Sequence, residues 1–217
     1  MRSGHALLVV FCVSLLFPAY ATAQPDEKYW GVQASFAPKW EVKDSFRPLF
    51  DADVVSISGS EFRIGFARGR TLGGEWGVSY VRKLVKDGSF ALQSPDFEPS
   101  DRTTHGVTVS GVSIDKFSPF GTIKDRVQIG LTYGIGVGQA KGTVTERDIQ
   151  SGDSRIIEAK QFFSPFGQEV KVVPLAELQL AVAVIAGPGF KMRASGGLNY
   201  PGTTTFTITG VYMFGAK

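Results

Sequence analysis

The stretch VQIGLTYGIGVG, residues 127–138, decides the fold. Large apolar residues alternate along it with glycine, glutamine and threonine, and no position breaks the pattern. A period of two is typical of a β-strand whose two faces meet different surroundings. The stretch therefore predicts a strand with one bulky apolar face and one face of small or polar side chains.

The same period recurs along most of the chain. The further segments are 29–38, 61–67, 75–80, 104–116, 176–184, 190–195 and 203–214. Most of the predicted strands are longer than the roughly 5–6 residues of an average soluble strand and approach the roughly 9–11 residues that cross a bilayer. An even number of strands also agrees with a closed bacterial outer-membrane barrel.

The links between these segments alternate between long and short. Long links are expected at 38–52, 85–102 and 139–171, and short ones at 69–74, 117–125, 186–189 and 198–203. The alternation stops at the last link, which is short like the one before it. Long loops on one side and short turns on the other are typical of outer-membrane barrels. Within the longest link, residues 143–149 and 154–159 predict a hairpin that continues above the barrel.

The composition of the two faces predicts which one points outward. An eight-stranded barrel has only enough interior space for side chains to fill. The bulky face carries nine large aromatics, which would overfill such a lumen: Trp30, Phe36, Phe62, Phe66, Trp76, Tyr80, Tyr133, Tyr212 and Phe214. We therefore expect this face to contact lipid and the glycine-rich face to line the lumen.

Overall composition excludes several classes of protein. Hydrophobic residues make up 43% of the 217 residues, which is too many for a disordered chain. The formal net charge of +3 is too balanced to suggest a nucleic-acid partner. The 26 glycines are about 12% of the chain, against a usual 7% or so, and many of them fall on the predicted lumen face.

The first 23 residues predict a signal peptide that is cleaved. Arg2 precedes the apolar run 6–17, and Ala21-Thr22-Ala23 forms a cleavage site of small residues. The single cysteine, Cys12, leaves with this leader, so we expect no disulfide in the mature chain. The mature chain, 24–217, is predicted to form one exported domain.

With this leader, eight alternating segments and a final strand FTITGVYMF at 206–214, the chain resembles the small eight-stranded outer-membrane β-barrel proteins of bacteria. The resemblance implies an all-β fold, namely a closed antiparallel up-and-down transmembrane β-barrel of eight strands. It also implies a location in the outer membrane with both termini on the periplasmic side, outer-membrane lipids as surroundings, and insertion by the barrel assembly machinery, which recognises a C-terminal aromatic such as Phe214.

Charged and amide side chains on the lumen face are the candidate site. They are Glu61, Arg63, Glu75, Gln128, Glu177, Gln179, Lys191 and Arg193. Their three acids and three bases balance, and buried charges must pair. We interpret them as a structural network that plugs the lumen, with Arg63 and Arg193 paired with glutamates. The alternative is a narrow gated pore or a small-ligand site.

Catalytic, cofactor and metal sites are not predicted. His105 is the one histidine of the mature chain, and a lipid-modifying barrel enzyme would need a serine and an acid beside it. We expect His105 to point outward on the face of Val107 and Val109, with Ser110 on the opposite face. The glycines at 134, 136 and 138 have a strand period and are not a phosphate loop.

The predicted function is therefore non-enzymatic: a structural, adhesive or surface-binding role through the long outer loops, whose ligand the sequence does not name. Two alternatives stay open. One is a lipid-modifying outer-membrane barrel enzyme, and the other is a secreted, soluble, lipocalin-like barrel that binds an apolar ligand and keeps its aromatics inside.

Overall fold

The computed structural model describes residues 26–41, 58–94, 97–148, 150–158, 172–187, 189–202 and 204–215. The predicted signal peptide, 1–23, lies outside the described residues. The strands, in chain order, are β1 (Lys28–Glu41), β2 (Ser58–Arg70), β3 (Glu75–Val85), β4 (Gly88–Ser94), β5 (Phe97–Ile123), β6 (Val127–Asp148), β7 (Ser154–Glu158), β8 (Val173–Gly187), β9 (Phe190–Tyr200) and β10 (Thr204–Phe214). Within these ranges, no helix has the length and apolar character needed to cross a bilayer.

Eight of the strands close into a ring. The order is β1-β2-β3-β5-β6-β8-β9-β10, all neighbours are antiparallel, and β10 returns to pair with β1. Closure leaves no unpaired edge around the barrel wall. The predicted all-β, closed, antiparallel up-and-down barrel of eight strands is confirmed.

The strands of the ring are staggered, which sets their tilt. The paired residues Tyr29, Gly69, Glu75, Phe117, Thr132, Gln179, Gly197, Thr205 and Trp40 lead once around the barrel. The circuit starts at Tyr29 and returns to β1 eleven residues further on, at Trp40, and one of these residues belongs to a bulge between Phe36 and Lys39. A stagger of this size goes with strands tilted by about 40° to the barrel axis.

The two ends of the barrel differ. At one, which we call the turn end, lie the short connections 71–74, 124–126 and 188–189, the start of β1 and the end of β10. At the other, the loop end, lie the end of β1, the start of β2, the strands β4 and β7, the start of β8, and the short connection between β9 and β10. The predicted alternation of long and short links, broken at the last one, is confirmed.

The bulky face points outward. All nine predicted aromatics are exposed on the barrel exterior, from 39% for Tyr133 to 69% for Phe66. Along β6, Gln128 and Thr132 are buried, whereas Ile129 and Ile135 between and beyond them are exposed. The barrel is thus apolar outside and polar inside, as the sequence predicts.

A bulge in β5 changes which side chains of that strand point into the barrel and which point outward. Pairing with β6 shifts between His105 and Thr108, and Gly106 has a φ of 57°, a left-handed conformation that suits glycine. Beyond the bulge Val107 and Val109 are buried, each 1% exposed, whereas His105 is exposed. The prediction that these valines share the outward face of His105 is wrong because the extra residue shifts the alternation.

Two strands extend the sheet past the barrel. At the loop end β5 pairs with β4, and β6 pairs with β7 through Thr143–Arg147. A four-stranded sheet, β4-β5-β6-β7, therefore projects from the barrel, and the predicted hairpin above it is confirmed. The link expected at 85–102 contains β4, which the sequence analysis missed.

Candidate functional site

All eight side chains predicted for the lumen lie inside the barrel, and the structure adds others. Lys83, Asp115, Asn199 and Tyr29 are also buried there. The eight charged side chains of the interior separate into two clusters. The loop-end cluster is Glu61, Arg63, Lys83 and Glu177, and the turn-end cluster is Glu75, Asp115, Lys191 and Arg193.

The loop-end cluster joins three strands, and Asn199 links it to a fourth, β9. Arg63 ion-pairs with Glu61 and donates from Nη1 to Glu177 Oε1 at 2.8 Å. Lys83 Nζ lies 3.2 Å from Glu61 Oε2. Asn199 accepts a hydrogen bond from Lys83 at 2.6 Å and donates one to Glu61 at 2.8 Å. Two acids face two bases, so the cluster is electrically neutral.

The turn-end cluster is organised around Glu75. Arg193 Nη1 lies 2.8 Å from Glu75 Oε1 and Lys191 Nζ lies 3.5 Å from Oε2, which also accepts a hydrogen bond from the Tyr29 hydroxyl. Arg193 Nη2 also approaches Asp115 at 4.0 Å. This cluster too contains two acids and two bases. Burial of charge in low dielectric is tolerated when each charge has a partner of opposite sign, and both clusters meet that condition.

Aromatic and apolar side chains pack against the turn-end cluster. Lys191 Nζ lies 5.4 Å from the centre of the Tyr29 ring, and Arg193 Cζ lies 5.2 Å from the centre of the Phe117 ring. Phe117 was expected in a link, but β5 continues past it and the side chain is fully buried. Tyr29 also packs in an apolar cluster with Ala67, Val211 and Met213.

The two predicted glutamines have different surroundings. Gln179 donates to Glu177 at 3.2 Å and accepts a hydrogen bond from Ser195. Gln128 is fully buried, yet neither atom of its amide has a hydrogen-bond partner among the described residues. Of the eight predicted residues, the structure thus joins seven through polar contacts and leaves Gln128 apart.

Free space beside the loop-end cluster is small among the described residues. A cavity of about 10 Å³ lies beside the loop-end cluster, lined in part by Arg63, Lys83, Glu177 and Asn199. This volume suffices for about one water molecule. The geometry therefore favours the predicted plug over a ligand site at this level of the barrel.

Glycines on the lumen face are required for two reasons. A Cβ at Gly77 would lie 2.2 Å from Gln33 Nε2 and 2.8 Å from the Asp115 carboxylate, so these two lumen side chains would have to move to admit it. A Cβ at Gly136 would instead lie 2.3 Å from the backbone oxygen of Val112 on the paired strand. The narrow lumen thus explains part of the glycine excess, and close approach of neighbouring backbones explains another part.

Two of the lumen residues that the sequence analysis missed had a signal. Lys83 lies eight residues after Glu75, and Asn199 eight residues after Lys191, so each continues the period of two on its own strand. Asp115 lies beyond the bulge of β5. Extending each predicted strand at the same period would have found the first two.

The surroundings of His105 and the possible metal ligands were the remaining candidates for a site. Within the described ranges no hydrogen bond joins His105 to a serine or an acid, and its neighbour across the sheet is Thr143. Ser110 lies beyond the bulge on the outer face, half-exposed. No group of three or more His, Cys, Asp or Glu side chains in the described part of the chain could hold a metal ion.

Comparisons with known proteins find similarity among solved structures. No family model matches the chain, and no curated protein matches its sequence. Among solved structures, the chain is similar to Ail, the attachment invasion locus protein of Yersinia pestis, in complex with the heparin analogue sucrose octasulfate. The identity is 16%, the match covers 87% of this chain and 99% of that chain, and the TM-score is 0.41. An identity of this size transfers no functional residue from that protein to this chain.

Proposed function

We propose that the protein is an integral outer-membrane barrel with a non-enzymatic structural, adhesive or surface-binding role, which it performs through its loop end. The observation that carries the membrane location is the inverted distribution of polarity. Large apolar side chains such as Phe66 and Leu180 cover the exterior, at 69% and 65% exposure, while the charged clusters lie inside. Soluble proteins rarely expose a continuous apolar surface of this extent.

The dimensions of the barrel agree with a bilayer. The 11 residues of β3, inclined at about 40°, rise by about 28 Å along the barrel axis. The apolar band of an outer-membrane barrel is about 25 Å tall. The lipocalin-like alternative requires the aromatics inside, and their position on the exterior supports the membrane barrel over it.

The projecting sheet supports a surface-binding role. In the described sheet β4 and β7 are the two edge strands, and sheet edges pair readily with extended segments of other proteins. Ile156 on β7 is 74% exposed, beside the ion pair of Arg155 with Glu146 at 2.5 Å. The loop end would face the outside, and the turn end, with Phe214, would face the periplasm and the barrel assembly machinery.

Epitope insertion tests this location and orientation together. An epitope in the turn at Ser151 should be labelled on intact cells, and one at Gly73 only after the outer membrane is permeabilised. Both proteins should require detergent for extraction and should migrate faster on a denaturing gel before heating than after. Recovery in the soluble periplasmic fraction, or the reverse labelling pattern, would contradict the proposal.

A further inference from the structure

A row of aromatic and basic side chains runs around the barrel exterior near the turn end. Register pairs it continuously across five strands: Trp30 with Arg68, Arg68 with Trp76, Trp76 with Lys116, and Lys116 with Tyr133. We call these five residues the cation–aromatic row. Two cations therefore flank Trp76, about 10 Å apart across its strand.

The basic groups of the row lie against aromatic rings. Arg68 Cζ is 4.7 Å from the centre of the Trp30 ring. Lys116 Nζ is 4.9 Å from the centre of the Trp76 ring and 6.0 Å from that of Tyr133. Such contacts hold a cation over the negative face of a ring but leave its charge uncompensated by any anion.

No carboxylate of the described residues lies within ion-pair distance of Arg68 or Lys116. Their neighbour Arg70, at the end of β2, does have one, because its Nε lies 2.8 Å from Asp26 Oδ2. These two cations on the barrel exterior thus face whatever surrounds the barrel. In a bilayer, that surrounding includes the phosphates of lipid headgroups.

The turn-end members of the row lie at the level of a headgroup layer. Trp30 and Arg68 lie two residues from the ends of β1 and β2, and Trp76 is the second residue of β3. Lys116 is attached seven residues from the end of β5 at Ile123, nearer the middle of the bilayer, and its long side chain must extend toward the turn end for its amine to reach the interface. Its amine lies nearer the ring of Trp76 than that of Tyr133, as expected for a side chain that bends toward the interface.

We propose that the cation–aromatic row is a binding site for the phosphate headgroup of an anionic phospholipid in the leaflet at the turn end. This inference rests on the proposed membrane location. Arg68 and Lys116 donate to the phosphate oxygens, since guanidinium and ammonium groups form charge-assisted hydrogen bonds with phosphate. The rings of Trp30 and Trp76 pack against the glycerol backbone and the upper acyl chains at the interface.

Quenching of tryptophan fluorescence by brominated lipids tests the site. The mature chain with Trp40→Phe, which leaves Trp30 and Trp76 as reporters, is folded into vesicles of phosphatidylcholine. Either dibrominated phosphatidylglycerol or dibrominated phosphatidylcholine is then titrated in. We expect both lipids to quench, with phosphatidylglycerol favoured at the rings by about fivefold or more, which is the effect of one cation near a membrane surface.

Charge variants identify the source of the preference. Arg68→Gln with Lys116→Gln should lower the ratio of the two lipid affinities to about one. Arg82→Gln, which removes an exposed cation near the loop end of β3, should keep the parent ratio. Equal quenching of the parent by both lipids would overturn the site, as would loss of the preference in Arg82→Gln. Absence of quenching by either lipid would overturn the membrane location and the site together.

Discussion

Replacing Glu75 by Gln is expected to lower the free energy of unfolding by about 3 kcal/mol or more. Glu75 is 1% exposed and is the shared partner of Arg193, Lys191 and the Tyr29 hydroxyl. The amide keeps the shape of the side chain but leaves the turn-end cluster with one acid and two bases. An uncompensated buried charge is what makes the removal of one partner costly. Urea unfolding of the barrel in detergent micelles, followed by tryptophan fluorescence, measures the change.

Two further variants separate the lost charge from other effects. Asp125→Asn removes an acid at an exposed turn, and we expect a change within about 0.5 kcal/mol. Adding Lys191→Met to Glu75→Gln restores neutrality and places a thioether beside the rings of Tyr29 and Phe117. The double variant should therefore regain more than half of the free energy of unfolding that Glu75→Gln loses. An unchanged free energy of unfolding in Glu75→Gln alone would show that the turn-end cluster does not stabilise the fold.

Leu180→Arg should cost about 2–4 kcal/mol when the barrel is folded into vesicles. Leu180 lies at the midpoint of β8 and is 65% exposed on the exterior. In water, an exposed leucine is replaced by arginine at little cost. In a membrane barrel the same change places a cation at the centre of the hydrocarbon, far from either interface. Unfolding in urea, with folding into vesicles confirmed by the change in gel migration on heating, measures the effect.

Leu84→Arg is the matched control for this depth dependence. Leu84 is also exposed on the exterior, at 43%, but it is the penultimate residue of β3 at the loop end. Arginine near an interface costs about 0–1 kcal/mol, so the two leucines should differ by at least about 2 kcal/mol. Equal effects at the two positions would indicate that both face water.

The sequence predicted the barrel because its pattern directly encodes the environment of each strand face. Along β6, the stretch from Val127 to Gly138 alternates perfectly, and the structure follows it residue by residue. Pattern analysis was weaker where the backbone departs from a period of two. The bulge at Gly106 reversed the faces of Val107 and Val109, and no change of composition marks it.

Strand ends and lumen partners were harder to predict for another reason. Arg82 and Lys83 are adjacent cations beyond the predicted segment 75–80, and their opposite directions follow only once the strand is known to continue to Val85. Division of the interior charges into two neutral clusters depends on the stagger of the barrel, which brings residues as far apart in sequence as Arg63 and Glu177 into contact. Stagger is set by pairing and closure, and a single strand carries no information about it.

The central claim is that the bulky face of the barrel contacts lipid, and spin labels along β6 test it most directly. Single cysteines at Ile129, Leu131, Tyr133, Ile135 and Val137 each carry one nitroxide, in protein produced from residue 24 onward so that Cys12 is absent. Collision rates with oxygen, which concentrates in hydrocarbon, and with a water-soluble nickel chelate are then measured in vesicles. At the middle positions we expect the nitroxide to collide more often with oxygen than with the nickel chelate. Collisions with the chelate should become frequent only toward the ends of the membrane-spanning stretch. Dominant access of the chelate at all five positions would contradict the account.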